Sequence, residues 1–172
     1  MTLAARKKLY KWICYVALMF ISVILQTTLF SHFSVLSCTP SLIPFIVASI
    51  ALREGVFDGM VAGLVGGFLC DALYSGHEGF YIIALCAIAF LICLMNTVMY
   101  WKSYGMAVLD WAVLIIVMHF VHYCLYMLAN GEGSIVSLLY VIPGELLATL
   151  PFTPFLYMII KKTERSFEEL ED

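Results

Sequence analysis

The chain has 172 residues, 63% of them hydrophobic and 12% charged, with a mean hydropathy of +1.00. A soluble domain carries about a quarter charged residues, so the composition leaves room for one integral membrane domain, residues 1–172, and no soluble catalytic domain beside it. The formal charge of −3 reflects acidic residues crowded into the tail (Glu164, Glu168, Glu169, Glu171 and Asp172), and nothing in the charge supports nucleic-acid binding.

Apolar runs follow one another with short breaks. A short segment, residues 1–11, carries Arg6, Lys7, Lys8 and Lys11. The first run, Trp12–Phe30, is about 19 residues long, which is spanning length rather than the shorter core of a signal peptide. It is expected to be a retained helix. Val35-Leu36-Ser37-Cys38 is a near miss to a lipoprotein processing site but lies too far from the basic start. The second run, Leu42–Leu52, is short. It reads as tilted, partly re-entrant, or opening as a non-helical segment around Thr39-Pro40-Ser41.

The third run is Val56–Tyr74, the fourth Phe80–Trp101, the fifth Ala107–Leu128 and the sixth Ile135–Ile160. Backbone groups in hydrocarbon must be satisfied internally, so each run is predicted to be helical. Pro143, Pro151 and Pro154 predict kinks in the sixth. The tail, residues 161–172, is expected to be a solvated interfacial end whose small basic cluster gives lipid binding a minor place. The predicted class is an all-α membrane protein, a bundle of about six transmembrane helices.

All nine Lys and Arg fall on one side of this layout. Arg53 and Lys102 lie in the second and fourth connections, Lys161, Lys162 and Arg165 follow the last run, and the odd connections carry none. Short Lys/Arg-rich loops stay in the cytoplasm. Both termini are therefore predicted to be cytoplasmic.

Helix three carries the densest pattern. Gly59, Gly63 and Gly67 recur every four residues, with Gly66 beside the last, and Asp71 continues the row. Small residues at that spacing let a second helix approach closely. The neighbour is either another helix of the same bundle or a partner's transmembrane helix, and the spacing fits both. Asp71 sits in an apolar setting roughly one turn below the outer surface. A carboxylate there is costly and should be satisfied by something.

Depth along the helices names further candidates. His122 and His119 lie roughly 10 and 14 Å below the outer end of helix five, and Glu145 roughly 12–15 Å down helix six. Asp71, His119, His122 and Glu145 form a possible outer polar cluster. It is a structural network inside the bundle, a pocket for a small ligand open to the outside, or a metal or proton site. His119-Phe120-Val121-His122 puts two imidazoles on one helix side, but without an acidic ligand on that helix the metal signal is weak. No metal or other cofactor is expected. Asp110 reads as a partner for Lys102 or as a headgroup-level residue.

Tyr10, Trp12, Tyr100, Trp101, Tyr104 and Trp111 cluster at the inner interface as an anchoring belt would. The six cysteines show no CxxC spacing, and all but Cys38 lie in apolar runs, where they read as small buried hydrophobes. There is no GxSxG, HExxH, phosphate-cradling loop or other nucleophile motif. The chain is not expected to be an enzyme.

The stretch from Thr39-Pro40-Ser41-Leu42 through Arg53-Glu54-Gly55, Gly59, Gly63, Gly66-Gly67-Phe68 and Asp71 to Gly76 and Gly79 resembles the MreD family. These are rod shape-determining membrane proteins of bacteria. The resemblance covers roughly residues 12–162, and Ser41 replaces the family's usual acidic residue at the start of helix two. It implies a non-enzymatic component of the elongation machinery in the cytoplasmic membrane. The implied partner is an MreC-like single-pass protein, which connects to the MreB filament and to the peptidoglycan synthases (a SEDS glycosyltransferase and its transpeptidase). It also implies a fold like the substrate-binding subunits of energy-coupling-factor transporters. The alternative function is such a subunit of a vitamin-type uptake transporter. Helix one, however, shows only Ala17 as a small residue where those subunits present paired alanines to their coupling partner.

Overall fold

A computed structural model describes residues 3–28, 40–73, 79–99, 103–130 and 135–168. The elements are α1 (Leu3–Thr28), α2 (Leu42–Glu54), α3 (Val56–Leu73), α4 (Phe80–Met99), α5 (Tyr104–Asn130), α6 (Ile135–Thr149), a 3-10 turn at Leu150–Phe152, and α7 (Thr153–Glu168). No strand occurs among the described residues. The stretches Arg6–Thr28, Val56–Leu73, Tyr104–Leu125 and Leu139–Phe167 are long and apolar enough to cross a membrane, and Phe80–Asn96 is a shorter apolar helix. The protein is an all-α membrane protein.

Helix α2 forms the axis of the bundle. Every residue from Leu42 to Arg53 is buried, Ser49 included, because α1, α3, α4, α5 and α7 all pack around it. Thirteen residues of helix span about 20 Å, well short of the roughly 30 Å hydrocarbon layer. The length suffices because α2 meets protein on all sides and need not match the bilayer. Its start is non-helical at Pro40 and Ser41, and Thr39 lies outside the described residues. Pro44 falls in the first turn, where a missing N–H leaves no helical bond unmade.

The ends of α2 are answered by side chains of its neighbours. Gln26 Nε2 of α1 donates to the Pro40 carbonyl at 2.8 Å, and the Ser41 N–H donates to Thr149 Oγ1 at 3.0 Å. At the other end, Cys93 Sγ and Asn96 Nδ2 of α4 donate to the carbonyls of Ala51 and Leu52. A single residue, Gly55, then joins α2 to α3. Its φ of 99° lies where a residue with a Cβ is strained.

The glycine row of α3 is the seam with α4. A Cβ on Gly63 would lie 2.8 Å from Cys86 Cα, and one on Gly67 would strike the backbone of Ile82. On Gly59 it would meet Cys93 Sγ at 2.7 Å. Gly66 turns toward α2, where a Cβ would meet Val47 Cγ2 at 2.6 Å. The row is therefore filled from within the bundle, and a partner's helix could reach it only by displacing α4.

The sixth run continues as helix through its prolines, with Pro151 in the 3-10 turn and Pro154, which lacks an N–H, in the first turn of α7. Two expectations are corrected. The tail is not wholly solvated, since helix continues to Glu168 and Glu164 is buried. Trp111 is a core residue rather than an interfacial anchor, edge-on to Phe45 at 5.8 Å. Tyr100 and Trp101 lie outside the described residues.

Replacing Gly63 by Leu should abolish a monodisperse folded peak in detergent chromatography, because the obstruction is backbone. Overpacking against movable side chains already costs about 1–3 kcal/mol. Leu64→Ala, on the exposed face of the same helix, should elute like the parent.

Candidate functional site

The bundle has two polar ends. One, termed the basic end, holds the start of α1, the α2–α3 turn and α7. The other holds Asp71, His119 and Glu145.

At the basic end three acid–base contacts tie α1 and α7 to the α2–α3 turn. Arg53, in the last turn of α2, is paired with Glu164 of α7 through both Nε and a terminal guanidinium nitrogen. Arg53 Nη1 donates to Tyr157 Oη at 3.0 Å, and the guanidinium lies over the Tyr157 ring, 5.5 Å from its centroid. The side chains of Arg53 and Glu164 are only 8% and 5% exposed. Lys11 Nζ donates to Glu54 Oε2 at 2.5 Å, and Tyr15 Oη donates to the other carboxylate oxygen. Lys8 Nζ lies 3.1 Å from Asp58 Oδ1, which also accepts from Trp12 Nε1 at 3.2 Å.

The sequence pattern underlies this geometry. Residues 8, 11, 12 and 15 recur at three and four and so lie on one face of α1. Glu54 and Asp58 are brought together by the one-residue turn at Gly55. The start of α1 is thus helix rather than a loose basic segment. Two charges out of water are stabilising only when geometry and further hydrogen bonds answer them, and removing one partner leaves the other uncompensated. Arg53 meets that condition with a carboxylate, a hydroxyl and an aromatic face.

At the opposite end the four predicted residues separate into three arrangements. Asp71 accepts the N–H groups of Tyr81 at 3.0 Å and Ile82 at 3.2 Å, one on each oxygen. It caps α4, where orphan N–H groups and the helix dipole both favour a carboxylate. Gly67, one turn before it, permits the approach that brings those amides within reach. His119 Nε2 lies 3.1 Å from Glu145 Oε2, and its Nδ1 lies 3.0 Å from the Ile115 carbonyl. His122 packs its ring against Phe80 at 5.5 Å. The two imidazoles therefore serve different neighbours, α6 and α4. Among the described residues, no group of three His, Cys, Asp or Glu could hold a metal ion.

One turn beyond Glu145, a hydroxyl ties α6 to the start of α2. Thr149 Oγ1 donates to the Glu145 carbonyl at 2.8 Å and accepts from the Ser41 N–H. Asp110 is buried in the second turn of α5, and Lys102 lies outside the described residues.

The comparisons with known proteins bear on what such a bundle is for. A family model described as rod shape-determining protein MreD matches residues 6–163. The chain belongs to the MreD family. No curated protein and no solved structure gives a significant match. The match takes in the contact residues from Lys8 to Tyr157 and ends one residue before Glu164. Membership makes this a membrane protein of bacterial rod-shape determination.

The basic-end contacts were missed from sequence. Arg53 and Glu54 read as loop residues and Glu164 as part of an acidic tail. The available signal was a lone Arg-Glu pair closing an otherwise uncharged apolar run.

Glu164→Leu alone should lower stability by about 3–5 kcal/mol, read as a fall in the midpoint of thermal unfolding in detergent. Joint replacement with Arg53→Met should recover most of the loss. For Asp71, Asn keeps one acceptor of two and Leu keeps none. Asp71→Asn should therefore unfold at a temperature between those of the parent and Asp71→Leu.

Proposed function

We propose that this MreD-family member is a non-enzymatic scaffold of the cell-elongation machinery. It lies in the bacterial cytoplasmic membrane with both termini in the cytoplasm, binds an MreC-like single-pass partner, and helps position peptidoglycan synthesis. The MreB filament and the synthases, a SEDS glycosyltransferase with its transpeptidase, connect through that partner. The observation that carries the reading is where the charged groups are used. Glu54, Asp58 and Glu164 hold α1, the α2–α3 turn and α7 together, Asp71 caps α4, and Glu145 joins α6 to α5. These carboxylates brace the frame, as a docking platform requires. The collection of basic residues at one end supports the orientation.

The decisive experiment is affinity purification of the full chain in mild detergent, with mass spectrometry of retained proteins and small molecules. Co-purification of an MreC-like protein with cell-wall synthases is the expected result. A stoichiometric vitamin-sized ligand with an ATPase module would instead make the chain an uptake subunit, with the His119–Glu145 region as its site.

A further inference from the structure

The acidic side chains described at the basic end face inward, and its outermost cations do not. Glu54, Asp58 and Glu164 are engaged by Lys11, Lys8 and Arg53, whereas Lys162 and Arg165 of α7 are exposed. Residues 155, 158, 162 and 165 recur at three and four, so they lie on one face of α7. Phe155 and Met158, the first two members, are 67% and 68% exposed. Along this face two bare apolar side chains are followed by two cations. Helix α1, packed beside α7, repeats the order toward the same end. Its exposed Phe20, Ile13 and Tyr10 lead to exposed Arg6.

A stripe that is apolar and then cationic matches a molecule built the same way. Acyl chains fit the apolar part, and a phosphodiester fits the cations, with the arginine fork suited to two phosphate oxygens. A zwitterionic lipid brings the same chains but no net charge. We infer that the exposed face of α7 binds an anionic phospholipid, with its headgroup on Lys162 and Arg165 and its chains along Met158 and Phe155. The same helix uses its opposite face to hold Arg53 through Glu164, so a lipid seated there would press α7 onto the core. The inference rests on membrane embedding and not on the proposed partner.

The test is native mass spectrometry of the full chain, released from detergent containing equal phosphatidylglycerol and phosphatidylcholine. Preferential retention of phosphatidylglycerol is expected. A basic residue near an anionic surface contributes about 1 kcal/mol, or about fivefold, so Lys162→Gln and Arg165→Gln should each lower retention about that much. The pair together should lower it by more than tenfold, while Lys162→Arg and Leu64→Ala, the latter on the exposed face of α3, leave it unchanged. An unshifted thermal midpoint shows that each variant is folded. Equal retention of the two lipids by the parent, or undiminished retention by the folded double variant, would overturn the site. Displacement by inorganic phosphate at millimolar concentration would make it a free-anion site and overturn the lipid assignment.

Discussion

The structure depends on one constraint: α2 sees no lipid. A helix enclosed along its whole length must have its buried polar groups answered by protein. Gln26, Thr149, Cys93 and Asn96 answer backbone groups at its two ends, and Glu164 with Tyr157 answers the guanidinium. These side chains come from α1, α4, α6 and α7. The burial of one short helix therefore dictates polar residues at fixed heights on four others.

The α3–α4 seam is the second consequence of tight enclosure. Glycines bring the two backbones together, and in hydrocarbon it is the dispersion contact between them that holds them, without a solvent-driven term. Asp71 then uses the proximity those glycines create. The carboxylate is costly at that depth, and two amides of the neighbouring helix, otherwise orphaned, make the placement favourable. Glycine row and aspartate form one device for fixing where α4 begins.

Much of this was legible in the sequence, for stated physical reasons. Apolar runs located the helices because hydrocarbon permits little else, and the four-residue glycine spacing marked a close-packed face. The sequence could not say which helix filled that face, since spacing constrains one surface and not its partner. Depth counting placed Asp71, His119, His122 and Glu145 in one layer, but it carries no information about rotation around each helix axis. The divergence of His119 and His122 is a matter of that rotation. The Arg53–Glu164 contact was invisible because the two residues are 111 positions apart and each has an ordinary local explanation.

That separation has a consequence for synthesis. Translation delivers Arg53 to the membrane long before Glu164 has been polymerised. During that interval the guanidinium must rest against water, lipid phosphate or the insertion machinery, because its final carboxylate does not yet exist. The one-residue turn at Gly55 obliges α2 and α3 to enter as a hairpin, with Arg53 at the bend and close to the membrane surface. Only the arrival of α7 lets that bend close over. The bundle is thus fastened late, and a ribosome that stalls before α7 would leave α2 inserted but unclasped, in a form that quality-control proteases could distinguish from the finished protein.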